Sequence, residues 1–146
     1  MTEIINAIPN IEPGRHQTIT LCDSESAVSV AAALIHRLCG EYNTSVCLIS
    51  LTDRADAINE CCKGMKTVGT LNVLKQRNRN CRTIIDHAAA QYNRRFVRAF
   101  IIDGTDRITV PGKDGKPETN ADAVEHHLSS FARGFNVPVI SLVTSA

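Results

Sequence analysis

The stretch that most constrains this chain is residues 99–103, a short apolar run that ends in Asp103 and is followed at once by Gly104. An unbroken apolar run between a basic segment and a turn signal is typical of a strand buried on both faces of a parallel sheet. Asp103 would then stand at the carboxyl end of that strand, where open α/β sheets bind their ligands. In nucleotide-hydrolysing proteins an acid here holds magnesium. Alternatively, Asp103 only opens a turn or caps the next segment.

The composition indicates one soluble globular domain over residues 1–146, with residues 1–13 as a polar lead-in. No apolar run reaches the 18–20 residues or so of a membrane span, and the start of the chain has no basic-then-apolar signal pattern. We therefore expect a cytoplasmic protein without a membrane partner. The six cysteines include no C-x-x-C pair, which favours reduced and mostly buried thiols.

Charge is distributed unevenly along the chain. Residues 63–98 carry nine basic side chains against Asp86 alone, whereas the remaining residues carry seven basic and fourteen acidic ones. Such asymmetry suggests an anionic partner. The cations with the best placement for phosphate contacts are in the loop 75–82 and near the next helix end: Lys75, Arg77, Arg79, Arg82, Arg94 and Arg95. A solvated basic face, or docking onto an acidic protein, would also explain them, and no aromatic set accompanies the loop.

Hydrophobic patterning predicts five strands alternating with four helices. The strands are expected at residues 17–21, 46–51, 71–74, 99–103 and 137–143. The helices are expected at residues 26–38, from about 53 to 62, from Thr83 to about 96, and from Asn120 to Gly134. This order implies a mostly parallel sheet with helices on both faces.

Helix ends and inward faces can be predicted from single residues. Asp23 or Ser24 would cap the first helix and Gly40 would end it. Thr52 or Asp53 would cap the second helix, and a Thr83–Asp86 capping box the third. The third helix would bury Ile84, Ala88, Tyr92 and Phe96, and the fourth Val124, Leu128 and Phe131. Residues 104–120 would be a long loop, a kind of segment that is usually functional or mobile.

Two motifs give the chain a family resemblance. Residues 101–108 (IIDGTDRI) resemble a Walker B strand and its following turn, and residues 136–142 (NVPVISL) resemble the strand that carries a polar sensor. Pro13-Gly14 fits the entry to a Walker A strand. Over residues 11–144 the chain thus resembles the RecA-type ATPase core, as in DnaB-type replicative helicases. The resemblance implies a RecA-like (P-loop NTPase-type) fold with a five-stranded sheet.

The same resemblance implies that the ATPase chemistry is lost. A Walker A loop needs glycines around the phosphates and a lysine to neutralise them. The residues in register are 22–29 (CDSESAVS), in which both glycines and the lysine are replaced and only the hydroxyl, Ser29, is kept. Asp23 and Glu25 would repel phosphate. The position of the family's catalytic glutamate falls on Thr52. ATP and magnesium are therefore disfavoured; Ser29 and Asp103 would bind a cofactor only if a nucleotide binds.

Other chemistry has little support in the sequence. The histidines lack metal-ligand spacing, so no metal site is predicted, and no G-x-S-x-G elbow accompanies the serines. By resemblance we expect a non-catalytic accessory of DNA replication or recombination. It would bind a helicase or recombinase of related fold, DNA or copies of itself through residues 75–82 and 104–120. The alternatives are a divergent nucleotide-binding ATPase and a self-assembling structural subunit.

Overall fold

A computed structural model describes residues 10–145 of the protein. The chain forms an α/β fold around a five-stranded sheet in which all neighbouring strands are parallel, in the order β1-β7-β4-β2-β3. The strands of this sheet are β1 His16–Leu21, β2 Val46–Ser50, β3 Leu71–Lys75, β4 Ala99–Asp103 and β7 Val139–Thr144. The predicted α/β class and parallel sheet are confirmed. Residues 1–9 of the predicted lead-in lie outside the described part of the chain.

Four α-helices cover the sheet: α1 Ser24–His36, α2 Ala55–Cys61, α3 Cys81–Arg95 and α4 Ala121–Phe135. Because side chains alternate along a strand, β2, β4 and β7 supply both faces of the sheet. On one face α3 and α4 pack over side chains such as Ile49 and Phe100. On the other face α1 and α2 pack over side chains such as Leu48 and Ile101. The predicted burial of β4 on both faces is confirmed, since all five of its residues are buried.

Several predicted helix boundaries are wrong, and each error has a local cause. Helix α1 does not stop at Gly40, because it continues into a π-helical turn, Arg37–Glu41, and the left-handed residue follows at Asn43. Helix α3 has no Thr83–Asp86 capping box; its N-cap is Asn80, whose side chain accepts from the Thr83 N–H. Helix α4 runs past Gly134, because its left-handed cap is Asn136. Asp23 does cap α1, as predicted.

The long polar connection is partly ordered by backbone hydrogen bonds. It contains a 3-10 turn, Thr105–Arg107, and a two-stranded antiparallel hairpin, β5 Thr109–Pro111 and β6 Pro117–Thr119. Gly115 takes a positive φ of 80° in the hairpin turn, which suits glycine. The segment predicted as a loop is therefore a small structured element that begins directly after Asp103 and is anchored in the core by Ile108 and Val110.

Four cysteines are buried (Cys39, Cys47, Cys62 and Cys81), and all six are free thiols. Burial raises the pKa of Cys47 to about 12 and that of Cys62 to about 11, so these two thiols stay protonated and unreactive near neutral pH. No helix within residues 10–145 is both long and apolar enough to cross a membrane.

Candidate functional site

The carboxyl ends of the parallel strands meet at one edge of the sheet, and Asp103 stands at its centre. The carboxylate is fully buried at the end of β4, beside Ser50 at the end of β2. A buried carboxylate is unfavourable unless charged or polar groups surround it. The identity of those groups decides what this position can do.

Four donors surround the Asp103 carboxylate. Arg54 approaches it with two nitrogens: Nη2 donates to Oδ1 at 2.7 Å and Nε donates to Oδ2 at 3.2 Å. The Ser50 hydroxyl donates to Oδ2 at 3.1 Å and the Thr52 hydroxyl at 2.6 Å. The Arg54 side chain is itself only 9% exposed, so the pair is an internal one. A guanidinium from the chain thus supplies the positive charge at this carboxylate.

The turn after β2 positions the Arg54 side chain against the Asp103 carboxylate. The Thr52 hydroxyl accepts from the Arg54 backbone N–H at 3.1 Å while donating to Asp103. The prediction that Thr52 or Asp53 caps α2 is therefore wrong. Arg54 is the N-cap residue, and its side chain makes no capping hydrogen bond. Thr52 contacts both partners of the pair, and it thereby orients the arginine and the aspartate.

The turn after β4 is fitted against the same residues. Gly104 has a φ of 95°, and a Cβ placed on it would lie 2.8 Å from Cγ2 of Thr52. Glycine is therefore required there both for its backbone conformation and for space. Arg107, in the 3-10 turn that follows, donates from Nη1 to the Leu51 carbonyl at 3.1 Å. The two turns hold each other and close over the Arg54–Asp103 pair.

Residues 22–29, which the resemblance aligns with a Walker A loop, include the start of α1, and the side chain of Asp23 caps this helix. The Asp23 carboxylate accepts from the Ser26 N–H at 2.7 Å, and this hydrogen bond lowers the pKa of Asp23. Ser29 lies half-buried in the second turn of α1 and is not among the hydrogen-bond partners of Asp103. Strand β7 separates β1 from β4, which places the two strands about 10 Å apart.

The structure divides the predicted basic residues into two groups. Lys75, Arg77, Arg79 and Arg82 lie at the carboxyl edge, between the end of β3 and the first turn of α3. Arg94 and Arg95 lie in the last turn of α3, about 18 Å along the helix from Arg82. All six side chains are exposed. Only Lys75 of the six forms an ion pair within the described residues, to Asp56 at 2.6 Å.

The two loops predicted as contact surfaces are joined to each other. The Thr109 N–H donates to the Arg79 carbonyl at 2.8 Å, and Thr109 also forms a β-bridge with Asn80. The β5–β6 hairpin therefore continues from the basic loop, and its turn carries exposed Lys113 and Lys116. We call the basic loop 75–82 together with this hairpin the carboxyl-edge surface.

A second polar cluster escaped the sequence reasoning. His16 lies at the start of β1, and its Nε2 shares a 2.6 Å hydrogen bond with the buried Ser141 hydroxyl on β7. Its Nδ1 lies against the Glu125 carboxylate on α4. Burial lowers the pKa of His16, although Glu125 opposes this effect. A cleft of about 440 Å³ opens beside His16 and Glu125. The sequence alone gave no indication of this cluster, because His16 is more than one hundred residues away from both Glu125 and Ser141.

Within residues 10–145 no group of three or more histidine, cysteine, aspartate or glutamate side chains is arranged to hold a metal ion. The chain matches no protein-family model, and no curated protein matches its sequence.

Proposed function

We propose that this protein is a RecA-like domain without ATPase activity, an accessory of DNA replication or recombination that works by binding. The observation that carries the proposal is the Arg54–Asp103 pair. The acid that would serve nucleotide-bound magnesium in an active relative is already neutralised by a residue of the same chain. The five-stranded parallel sheet, with this acid at its centre, is consistent with the RecA-like layout.

The residues present do not fit a magnesium–nucleotide complex. A magnesium ion at Asp103 would have to displace a guanidinium that shares two hydrogen bonds with the carboxylate, and would leave Arg54 buried without its partner. At the helix that would receive the phosphates, the Asp23 side chain already occupies an amide and adds negative charge. Both observations oppose binding of a nucleoside triphosphate.

The carboxyl-edge surface is the better candidate for function. Arg77, Arg79 and Arg82 are exposed and make no ion pair with any other residue in the described range. Free arginines suit phosphate groups and carboxylates, because guanidinium binds either with two parallel hydrogen bonds. The surface would contact DNA, an acidic face of a related helicase or recombinase, or a second copy of this chain.

Thermal unfolding with and without magnesium-ATP tests the loss of nucleotide binding. A ligand that binds only the folded state raises the melting temperature by an amount that grows with the logarithm of its concentration above the dissociation constant. We expect no change up to several millimolar ATP. A concentration-dependent rise that requires magnesium would overturn the proposal in favour of a divergent ATPase.

The binding surface is tested by reversing two charges. Arg77→Glu/Arg79→Glu should abolish binding to labelled duplex DNA, to a purified RecA-type helicase, or to itself by sedimentation, while the melting temperature stays unchanged. Lys63→Glu/Lys66→Glu is the matched control, because it makes the same change in net charge at exposed lysines away from the basic loop. Equal binding by both double variants would show that the carboxyl-edge surface is not the contact.

A further inference from the structure

Phe96, near the end of the basic segment 63–98, is a large apolar side chain that the fold leaves exposed. The sequence pattern predicted that it would be buried with Ile84 and Ala88 on the inner stripe of α3. Instead the helix ends at Arg95, and Phe96 lies beyond it with 74% of its surface exposed.

The backbone conformation at position 96 makes a phenylalanine there unusual. Phe96 has a φ of 56° and a ψ of 28°, the left-handed conformation that bulky residues rarely adopt. Helix α4 ends with the same device: a left-handed residue followed by a buried valine, here Asn136 and Val137. Asparagine tolerates this conformation, as glycine does, whereas phenylalanine does not. The fold therefore needs the left-handed turn but not the aromatic ring.

Three arginines flank Phe96 in the sequence, and one of them lies near its ring. Arg94 and Arg95 precede it in the last turn of α3, and the Arg98 guanidinium lies 5.9 Å from the centre of the Phe96 ring. Arg98 is held in place by the Tyr92 ring, at 3.9 Å, and by hydrogen bonds from its Nη1 to the carbonyls of Tyr92 and Val97. None of the three arginines has a carboxylate partner in the part of the chain that the structure describes. We call Arg94, Arg95, Phe96 and Arg98 the amino-edge patch.

A second aromatic residue lies along the same edge of the sheet. The Arg98 N–H donates to the Ser45 carbonyl at 3.0 Å, just before β2 begins. The chain leading to Ser45 carries Tyr42, which is 50% exposed and has the Arg37 guanidinium 5.8 Å from its ring centre. The amino edge thus presents exposed rings together with arginines, whereas the basic loop 75–82 has cations without an aromatic ring.

From this juxtaposition we propose that the amino-edge patch binds single-stranded nucleic acid, with a base stacked on Phe96 and the adjacent phosphates held by Arg94 and Arg95. An exposed ring offers a flat face, and only unpaired bases can stack on it. Arginines beside the ring can bind the phosphates of the strand, and the ring supplies a stacking face that the carboxyl-edge surface lacks. This patch lies at the opposite end of α3 from the carboxyl-edge surface, so the inference stands independently of the proposed function.

Fluorescence anisotropy with labelled oligothymidine tests the inference. Phe96→Asn should weaken binding about tenfold, the usual size of one base–aromatic stack, and Phe96→Tyr should leave it unchanged. The melting temperature of Phe96→Asn should equal or exceed that of the wild type, because asparagine relieves the backbone, so weaker binding cannot be ascribed to unfolding. Arg94→Gln/Arg95→Gln should reduce the salt dependence of binding, by about 0.7 in logarithmic slope per lost phosphate contact.

Several outcomes would overturn this assignment. One is the absence of oligothymidine binding by the wild type, and another is equal affinity for Phe96→Asn and the wild type. Equal competition by polyglutamate would indicate an acidic protein partner instead, and equal competition by duplex DNA would exclude stacking. If only Arg77→Glu/Arg79→Glu abolishes binding, the carboxyl-edge surface is the nucleic-acid site and the amino-edge patch is not. Oligouridine in place of oligothymidine determines whether RNA or DNA is preferred.

Discussion

Replacing Arg54 by methionine is the sharpest test of the internal ion pair. Methionine keeps much of the buried volume but removes both nitrogens that donate to Asp103. The carboxylate would then be fully buried with only the hydroxyls of Ser50 and Thr52 as donors. Breaking a buried pair by removing one partner typically costs about 3–5 kcal/mol, because the remaining charge is left without compensation. This is a large part of the roughly 5–15 kcal/mol that stabilises a domain.

The expected loss is readily measured. For a chain of this length, 1 kcal/mol corresponds to about 2–4 °C in melting temperature, so Arg54→Met should melt about 6–20 °C below the wild type. Urea unfolding should show a lower midpoint with an unchanged slope. In an Asp103→Asn background the same Arg54→Met change should cost far less, because no charge remains to be left unpaired. A cost below about 1 kcal/mol, or an equal cost in both backgrounds, would refute the assignment of Arg54 as the counter-charge.

Three further outcomes follow from other sites. Gly104→Ala should destabilise the fold by about 1–3 kcal/mol in urea unfolding, because its Cβ would lie 2.8 Å from Cγ2 of Thr52 and its φ is 95°; a neutral result would contradict the close fit of the two turns. Burial lowers the folded-state pKa of His16 from 6.5, so the unfolded chain takes up the proton first as the pH drops. The free energy of unfolding should therefore fall as the pH drops through 6.5, by at most about 1.4 kcal/mol per pH unit, and should level off below the folded-state pKa. His16→Gln should flatten that dependence, and an unchanged profile would show that another group titrates. Asn80→Ala should cost about 1 kcal/mol as the loss of an N-cap, whereas Thr83→Ala should cost less; the reverse order in thermal melts would restore the predicted capping box.

Structure that depends on neighbouring residues in the sequence was predicted accurately for the central strand. The strand ending at Asp103 was predicted with its true bounds, because an unbroken apolar run between turn signals has few other solutions in a parallel sheet. Helix ends were read less well, since several neighbouring residues can cap and only the path of the chain selects one of them. The spacing of Phe96 from the buried residues of α3 predicted an inward-facing side chain. The helix ends at Arg95, however, and the left-handed backbone at Phe96 leaves its side chain exposed.

The contacts that define the candidate site were beyond sequence reasoning for a different reason. Arg54 and Asp103 are 49 residues apart and belong to turns after two different strands. Their pairing depends on β2 and β4 being neighbours in register, which places Ser50 beside Asp103. Without that register the sequence left two interpretations of Asp103: a turn or cap residue, or a ligand that acts only if a nucleotide binds. His16 and Ser141 meet by the same route, through the pairing of β1 with β7.

The difference between a metal ion and a guanidinium at Asp103 has a consequence for how the protein works. Charge supplied by magnesium and nucleotide comes and goes with the ligand, so the turns that contact it can switch between two arrangements. Charge supplied by Arg54 is attached to the chain, so we expect the turns around Thr52 and Gly104 to keep one arrangement with or without nucleotide. The carboxyl-edge surface continues from those turns through the β5–β6 hairpin and should therefore be equally competent with or without nucleotide. Partner binding measured in magnesium-ATP and in EDTA should give the same affinity, whereas an affinity that depends on ATP would show that a switch remains.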